Sequence, residues 1–153
     1  MTAVLEGVTA ADAPELDALV ARCSPRTRYT RFVAPVRALP AAYRAGVLAG
    51  DPAHHDALAV RSHSTEIVGL ASLVAGTEYA ELGILVEDSW QRRGLGTALV
   101  HALVARARQR RVPYLGATVL PASSGLLVWL GRMLPLERSA RDAYGLSAVY
   151  RLL

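Results

Sequence analysis

Residues 81–113 read ELGILVEDSWQRRGLGTALVHALVARARQRRVP, and this stretch decides the fold. Residues 82–86 form an apolar run of strand length, which two acidic residues end. After a turn that contains Gly94 and Gly96, apolar residues recur at helical spacing, at Leu95, Leu99, Ala102 and Leu103. The stretch therefore predicts a β-strand, a glycine-containing turn and a long amphipathic helix that ends before a proline.

The turn and the first residues of this helix are suited to bind a phosphate group. Gly94 and Gly96 have no Cβ, so the backbone can turn tightly and a bulky ligand can approach its amides. The first N–H groups of a helix lack helical partners and lie at the positive end of its dipole. Arg92 and Arg93 add positive charge. A glycine pair alone is also typical of an ordinary helix start, but the preceding strand makes the whole pattern more specific.

Two other phosphate-binding motifs do not fit. The dinucleotide fingerprint needs a third glycine and an acidic residue about 20 positions further on. Here Ala98 or Leu99 stands in the third glycine position, and no Asp or Glu occurs between Asp88 and Glu137. The P-loop needs a lysine, and all 17 basic residues of this chain are arginines.

Residues 91–96, QRRGLG, resemble the Q/R-x-x-G-x-G/A signature of the GNAT superfamily of N-acetyltransferases. The resemblance implies acetyl-CoA as the co-substrate, and no metal. It also implies an α+β GNAT fold, a mixed, mostly antiparallel sheet of about seven strands flanked by about four helices, as a single domain over residues 1–153. The residues that would bind the diphosphate of acetyl-CoA are Gln91, Arg92, Arg93, Gly94, Leu95, Gly96 and Thr97.

A narrower resemblance concerns residues 24–32, SPRTRYTRF, together with Ala80 and Glu81 at the start of the central strand. These features are similar to bacterial protein lysine acetyltransferases of the Pat type. The resemblance implies that Glu81 is the general base and that the acceptor amine belongs to a protein lysine. Two alternatives stay open, namely a small-molecule amine as acceptor and a regulatory module that binds acyl-CoA with little turnover.

The chemistry itself requires a base, because an amine attacks a thioester only in its neutral form. A lysine amine has a pKa of about 10.4, so a positioned group or a water chain must remove a proton. Strand alternation puts Glu81, Gly83 and Leu85 on one face, which leaves space beside the carboxylate. An acid at a strand end that pairs with an arginine is the alternative for Glu81. Glu78 and His63 are the other candidates for the base.

In the family, backbone amides of the central strand bind the pantetheine arm and the thioester carbonyl, and the resemblance assigns this role to Leu85 and Val86. An N–H aimed at the carbonyl oxygen stabilises the negative charge that develops there. The family also has an Asn at the start of the next helix, and Ser123 or Ser124 occupies that position here.

The family's tyrosine, which protonates the leaving thiolate, is absent from the helix predicted at residues 121–131, and Trp129 lies near its expected position. A thiolate with a pKa of about 8.5 can leave with water as the acid. Tyr114, Tyr144 or Tyr150 would substitute only if the fold brought one of them close.

The remaining segments agree with the order of elements in a GNAT domain. Strands are predicted at residues 4–8, 56–61, 66–75, 79–86, 114–120, 134–140 and 144–152. Helices are predicted at residues 11–23, 41–49 and 121–131, besides the organising one. Residues 24–32 form either a flap on the substrate side or part of a surface helix pair.

Composition excludes several classes of protein. The chain has 153 residues, 52% of them apolar and 20% charged, which predicts a globular domain. The net charge is +4 without interleaved aromatic and basic residues, so nucleic acid is not an expected partner. Neither a signal peptide nor an apolar run of 18 residues occurs, which predicts a cytoplasmic protein without a membrane partner.

A few other residues are of types that could bind a metal ion or a cationic acceptor. Cys23 is the only cysteine, so no Cys-based metal site is expected. His54 and His55 are predicted to be a solvated loop pair. Asp51, Asp56 and Glu78 are candidates for binding a cationic acceptor, and the protein is expected to be a monomer or a homodimer.

Overall fold

The computed structural model describes residues 4–63, 65–143 and 145–153. Its centre is a seven-stranded sheet in the order β1-β2-β3-β4-β5-β7-β6, in which only β4 and β5 are parallel. The strands are β1 (Val4–Gly7), β2 (His55–Arg61), β3 (Ile67–Ala75), β4 (Ala80–Val86), β5 (Tyr114–Val119), β6 (Leu136–Arg141) and β7 (Leu146–Arg151). The predicted α+β class and the mostly antiparallel sheet are confirmed.

Five α-helices flank the sheet in the described ranges. They are α1 (Ala13–Arg22), α2 (Pro25–Phe32), α3 (Ala41–Ala49), α4 (Leu95–Gln109) and α5 (Gly125–Met133). The count exceeds the predicted four because residues 25–32 form a helix of their own. Ser24 caps it by accepting a 3.1 Å hydrogen bond from the Thr27 N–H, and Pro25 occupies the first helical position.

The two faces of the sheet carry two separate clusters of buried apolar residues. On one face, Leu82 of β4 packs with residues of α4 such as Leu99 and Leu103. On the other face, Leu85 packs with residues of α1 such as Leu16. The predicted alternation along β4 is therefore confirmed, and Glu81 shares its face with α1, α2 and α3.

The parallel pair β4–β5 is short. Ala80 pairs with Leu115 and Glu81 pairs with Gly116, and the two strands share no further pairs. On its other side β4 stays paired with β3 along all seven of its residues. The β5-facing edge of residues 82–86 is therefore not paired with β5, and a gap opens between the two strands.

Asp56 joins β2 to the C-terminal part of α4. Its side chain is 1% exposed and accepts hydrogen bonds from Arg106, at 2.8–3.1 Å, and from Arg110, at 3.3 Å. The expectation that Asp56 contributes to an acceptor surface is wrong, because its carboxylate lies on the α4 face and is bound by two arginines. The arginine-rich end of the helix thus anchors α4 to the sheet.

The prediction of a solvated His54–His55 pair holds for only one of the two. His54 is exposed and contacts Asp51 at 2.6 Å. His55 begins β2, is 7% exposed, and packs against Tyr43 of α3 with ring centroids 5.0 Å apart. His54 lies in the turn before β2, whereas His55 is already paired with Val74 of β3 and its side chain points into the core.

Cys23 ends α1 and is 2% exposed. Burial raises the pKa of its thiol to about 11, and the carboxylates of Asp88 and Glu87 act in the same direction. The thiol is therefore protonated and shielded in the folded protein.

Replacing Asp56 by Asn should lower the free energy of unfolding by about 2–4 kcal/mol, because two guanidinium groups lose a buried charged partner. Urea unfolding followed by circular dichroism measures this change. Asp17→Asn is the matched control, since the Asp17–Arg44 ion pair is half exposed and such pairs contribute little. Equal stabilities of the two variants would contradict the anchoring role of Asp56.

Candidate active site

A cavity of about 840 Å³ lies where β4 separates from β5. Its walls come from α2, from β4 and the loop after it, and from the segment that leads into α5. The predicted site residues that line the cavity are Glu81, Leu85, Val86, Gln91, Arg92 and Ser123. The fold thus brings the predicted base, the predicted thioester-binding strand and part of the predicted phosphate loop into one space.

The start of α4 lies next to this cavity and carries free amides. Gly94 precedes the helix with φ 81° and ψ 7°, a left-handed conformation that favours glycine. The first helical bond runs from the Ala98 N–H to the Gly94 carbonyl, at 3.0 Å. The amides of residues 95–97 therefore have no acceptor within the helix, as an anion site requires. The Leu95 side chain is buried, so only its backbone can take part.

Gly94 and Gly96 are glycines for different reasons. A Cβ at position 96 would meet only Ile84, at an ordinary 3.8 Å, so the protein itself tolerates a side chain there. At position 94 the positive φ makes any side chain unfavourable. A small residue at position 96, the Gly or Ala of the signature, therefore keeps the helix start open to a ligand.

Positive charge gathers at the mouth of the cavity. Arg92 and Arg26 both line it and are exposed. Arg93 points elsewhere, and its guanidinium carbon lies 4.9 Å from the centre of the Trp90 ring. Arg92 therefore contributes its positive charge to the cavity. The Arg93 guanidinium instead makes a cation–π contact with the Trp90 ring.

The loop after β4 is attached to α2 by hydrogen bonds. The Asp88 carboxylate accepts from the Ser24 N–H and hydroxyl, each at 2.8 Å, and from the Thr27 hydroxyl at 2.9 Å. Burial opposes ionisation of Asp88, but these donors prevail and hold its pKa below the usual range. Gln91 donates to Thr27 at 3.1 Å and to the Val86 carbonyl at 3.0 Å. Gln91 therefore holds the loop in place.

Glu81 is exposed, lines the cavity, and has no ion pair or hydrogen bond with another described side chain. Glu81 therefore does not form the arginine pair that was the alternative to a role as base. Glu78 does form such a pair, with Arg138 at 2.7 Å, and it lies outside this cavity. His63 lies in the β2–β3 turn and does not line the cavity either. Of the three candidates for the base, only Glu81 faces this space.

Two residues of the acceptor-side wall were not singled out by sequence reasoning. Arg31 of α2 and Tyr43 of α3 both line the cavity. The Tyr43 hydroxyl contacts the Ser72 hydroxyl of β3 at 2.7 Å. A weak signal did exist for Arg31, because it lies in the segment 24–32 that carries the narrower resemblance.

The start of α5 offers one hydroxyl to the cavity. Ser123 lines it, whereas Ser124 precedes the helix and its carbonyl accepts from the Leu127 N–H at 3.0 Å. Trp129, at the expected position of a tyrosine, packs against His101 of α4 with ring centroids 5.4 Å apart. Trp129 therefore stabilises the contact between the two helices.

Of the three tyrosines that could replace the missing one, the two that the structure describes do not line the cavity. Tyr150 is buried and donates to the Leu127 carbonyl at 2.7 Å, and burial raises its pKa. Tyr114 lines a second cavity, at the other end of β4. Tyr144 lies outside the described residues.

Among the described residues, no group of three or more His, Cys, Asp or Glu side chains could hold a metal ion. In the same part of the chain, no helix is both long enough and apolar enough to cross a bilayer.

Comparisons with known proteins identify the family and the fold. The sequence profile described as "Acetyltransferase (GNAT) family" matches residues 18–124. The GNAT domain of S. lividans PAT is 25% identical, with a TM-score of 0.85 over 99% of this chain and 91% of that one. A comparison with curated protein sequences found no significant match.

Two more distant solved structures share the fold. A putative acyl-CoA N-acyltransferase from Klebsiella pneumoniae is 22% identical, with a TM-score of 0.68 over 99% of both chains. A putative acetyltransferase from Salmonella typhimurium, solved with its cofactor acetyl-CoA, is 12% identical, with a TM-score of 0.73 over 99% of this chain and 93% of that one.

The chain belongs to the GNAT acetyltransferase family, because the family profile covers more than half of it. Membership of this family makes it an acyl-CoA-dependent N-acyltransferase, and the family's acyl donor is acetyl-CoA. The cavity, the free amides at the start of α4 and the arginine at the mouth suit such a thioester, which carries a diphosphate at one end.

Replacing Gly96 by Val should weaken CoA binding at least about tenfold, because a branched side chain at this position obstructs the approach of a ligand to the amides of the helix start. Calorimetric titration with CoA measures the affinity, and a thermal melt checks that the variant is folded. Gly96→Ala is the matched control and should keep most of the affinity, since the signature accepts alanine here and a Cβ would meet only Ile84, at 3.8 Å. Gly94→Ala should lower the melting temperature, because position 94 has a positive φ. Unchanged affinity of the Gly96→Val protein would remove the start of α4 from the ligand site.

Proposed function

We propose that the protein transfers the acetyl group of acetyl-CoA directly to a primary amine in a ternary complex, with a protein lysine as the leading acceptor. The observation that carries this proposal is the position of Glu81. It is an unpaired carboxylate at the last position where β4 pairs with β5, next to the gap and in the same cavity as Arg92.

Acetyl-CoA supplies an acetyl group on a thioester. We assign its diphosphate to the amides of residues 95–97 with Arg92 beside them, and we keep Gln91, Arg93, Gly94 and Thr97 as parts of that loop. The backbone of Leu85 and Val86 would hold the pantetheine arm, and the Val86 N–H, which strand alternation turns away from β3 and toward the gap, would donate to the thioester carbonyl. Donors fixed in this way stabilise the negative charge that develops on the oxygen. Ser123 lines the same space, and Ser124 is its neighbour.

Glu81 would accept the proton that the attacking ammonium must lose. At pH 7 only about one lysine amine in 2,500 is neutral, so nearly every acceptor must lose a proton before it can attack the thioester. An ammonium that enters the cavity leaves bulk water, and the loss of solvent disfavours its charged form. Desolvation of the acceptor therefore makes the transfer to Glu81 less costly.

Among the described residues that line the cavity, the only tyrosine is Tyr43, and it lies on the acceptor-side wall. The α5 side of the cavity therefore offers no described tyrosine to protonate the departing thiolate. A thiol with a pKa of about 8.5 is nevertheless an acceptable leaving group at neutral pH. We infer that water supplies the proton, which fits the open, solvent-reaching gap.

Two similarities support a protein lysine as the acceptor. The whole chain is similar to the S. lividans PAT domain, and residues 24–32 resemble the corresponding segment of Pat-type lysine acetyltransferases. A small-molecule amine is the second candidate. The organisation of residues 1–153 as one domain, the cytoplasmic location and the monomeric or homodimeric state stay predictions.

The proposal is tested by incubating the protein with acetyl-CoA and a panel of lysine-containing proteins and small amines, and by following release of the CoA thiol. Turnover of at least one amine supports transfer, and the preferred class of acceptor follows from the panel. Tight binding of CoA without turnover of any acceptor would instead favour the regulatory module.

Replacing Glu81 by Gln should lower kcat/KM about 10²–10⁴-fold at pH 7 and leave CoA affinity unchanged, because a general base contributes about this much. The deficit should shrink as the pH approaches 10, where the amine loses its proton to solvent. Glu78→Gln is the matched control, since that carboxylate lies outside the cavity and pairs with Arg138. A Glu81→Gln protein with the wild-type rate at pH 7 would refute this role.

A further inference from the structure

Arg31 occupies the acceptor side of the cavity. Its guanidinium lies directly over Gly83 of β4, where a Cβ atom would collide with it. Gly83 is on the same strand face as Glu81, two residues further on. A glycine in the middle of this strand is therefore explained by the space that the arginine needs.

Aromatic rings hold the guanidinium in this place. Its central carbon lies 4.5 Å from the centre of the Phe32 ring and 4.8 Å from that of Tyr43. Tyr43 is itself fixed by its hydroxyl contact with Ser72 and by its packing on His55. The planar cation is thus oriented before any acceptor arrives, which reduces the entropy that binding would cost.

Arg31 has no anionic partner in the ranges that the structure describes. The other arginines of α1–α3 with a carboxylate nearby, Arg22 and Arg44, pair with Glu87 and Asp17, but no carboxylate lies within ion-pair distance of Arg31. The neighbouring His55 cannot act as a counter-ion. Its pKa is lowered first by burial and then by the positive charge of Arg31. A half-buried cation inside a substrate cavity, with no carboxylate of the described residues within ion-pair distance, is suited to an anion on the substrate.

We propose that Arg31 binds a carboxylate of the acceptor while Glu81 faces the acceptor's amine, so that the preferred substrate is an amine with an acid group close to it in space. This inference rests on the proposed function. Gly83, over which the Arg31 guanidinium lies, is two residues and about 7 Å along the strand from Glu81, so the two charged side chains face one small part of the cavity. The amine and the acid must therefore lie close together. A free amino acid has this chemistry, and so has a peptide lysine with an acidic side chain folded beside it.

The experiment compares acceptors that differ only in this charge. One arm pairs free amino acids with their carboxamides, and the other pairs lysine peptides that carry Glu or Gln next to the lysine. The wild-type protein should favour the acid over its neutral partner by about tenfold or more in kcat/KM in at least one arm. The arm with the larger ratio identifies the source of the carboxylate.

Arg31→Met removes the charge and keeps most of the length, so it should reduce the acid-to-amide ratio to about one, while CoA affinity stays unchanged. Arg31→Lys should restore part of the ratio, because a lysine keeps the charge but loses the planar fork. Arg37→Met is the control, since Arg37 is exposed and lies outside the cavity. A purely structural Arg31 would affect both members of each pair equally.

Binding is measured separately from turnover, so that the two proposals fail independently. Calorimetry with CoA present compares the N-acetylated acids with the N-acetylated amides. Tighter binding of the acids, lost in Arg31→Met, supports the carboxylate site even if no acceptor is turned over, in which case only the proposed transfer fails. Equal binding of acids and amides, no binding of either, or an unchanged ratio in Arg31→Met overturns the inference about Arg31.

Discussion

The site depends on the early separation of β4 from β5. A strand inside a sheet normally has both of its edges hydrogen-bonded, and β4 keeps this arrangement with β3 over its whole length. Toward β5 it keeps only two paired positions. The gap exposes backbone polar groups that would be costly to bury without partners, and a long, polar, flexible ligand can satisfy them. The rest of the fold keeps this gap open and places charged groups around it.

The charged groups around the gap come from separate parts of the chain and are held by different means. On the nucleotide side, a left-handed glycine and the first turn of α4 present amides and one arginine. On the acceptor side, α2 is attached to the same loop through Asp88 and Gln91. Glu81, the proposed base, lies between them on β4. Because α2 and the loop share these hydrogen bonds, neither wall of the cavity can move far without the other.

Much of this could be predicted from the sequence, because local patterns encode it. The strand–turn–helix of residues 81–113 was recognisable from apolar periodicity and from two glycines, and the alternation along β4 correctly placed Glu81 on the face opposite to α4. The roles of the individual site residues are still proposals. The class of fold followed from the order of the elements along the chain.

What could not be predicted depends on contacts between distant segments. The partners of Asp56 lie some 50 residues away on α4, and nothing local distinguishes a buried strand carboxylate from a solvated one. The environment of Arg31 is formed by α2, α3 and β4, so the sequence shows an arginine in a basic segment and not a cation in a substrate cavity. The conformation of residues 25–32 could not be predicted, because the stability of a short helix depends on its cap and on the surface against which it packs.

The chain's lone cysteine has a practical consequence for work on this enzyme. Because Cys23 is buried and its thiol has a pKa of about 11, the folded protein contributes almost no reactive sulfur of its own. Colorimetric reagents that count liberated sulfhydryls therefore report coenzyme alone, with no background from the catalyst. A cysteine introduced on an exposed surface would likewise be the single attachment point for a spectroscopic label.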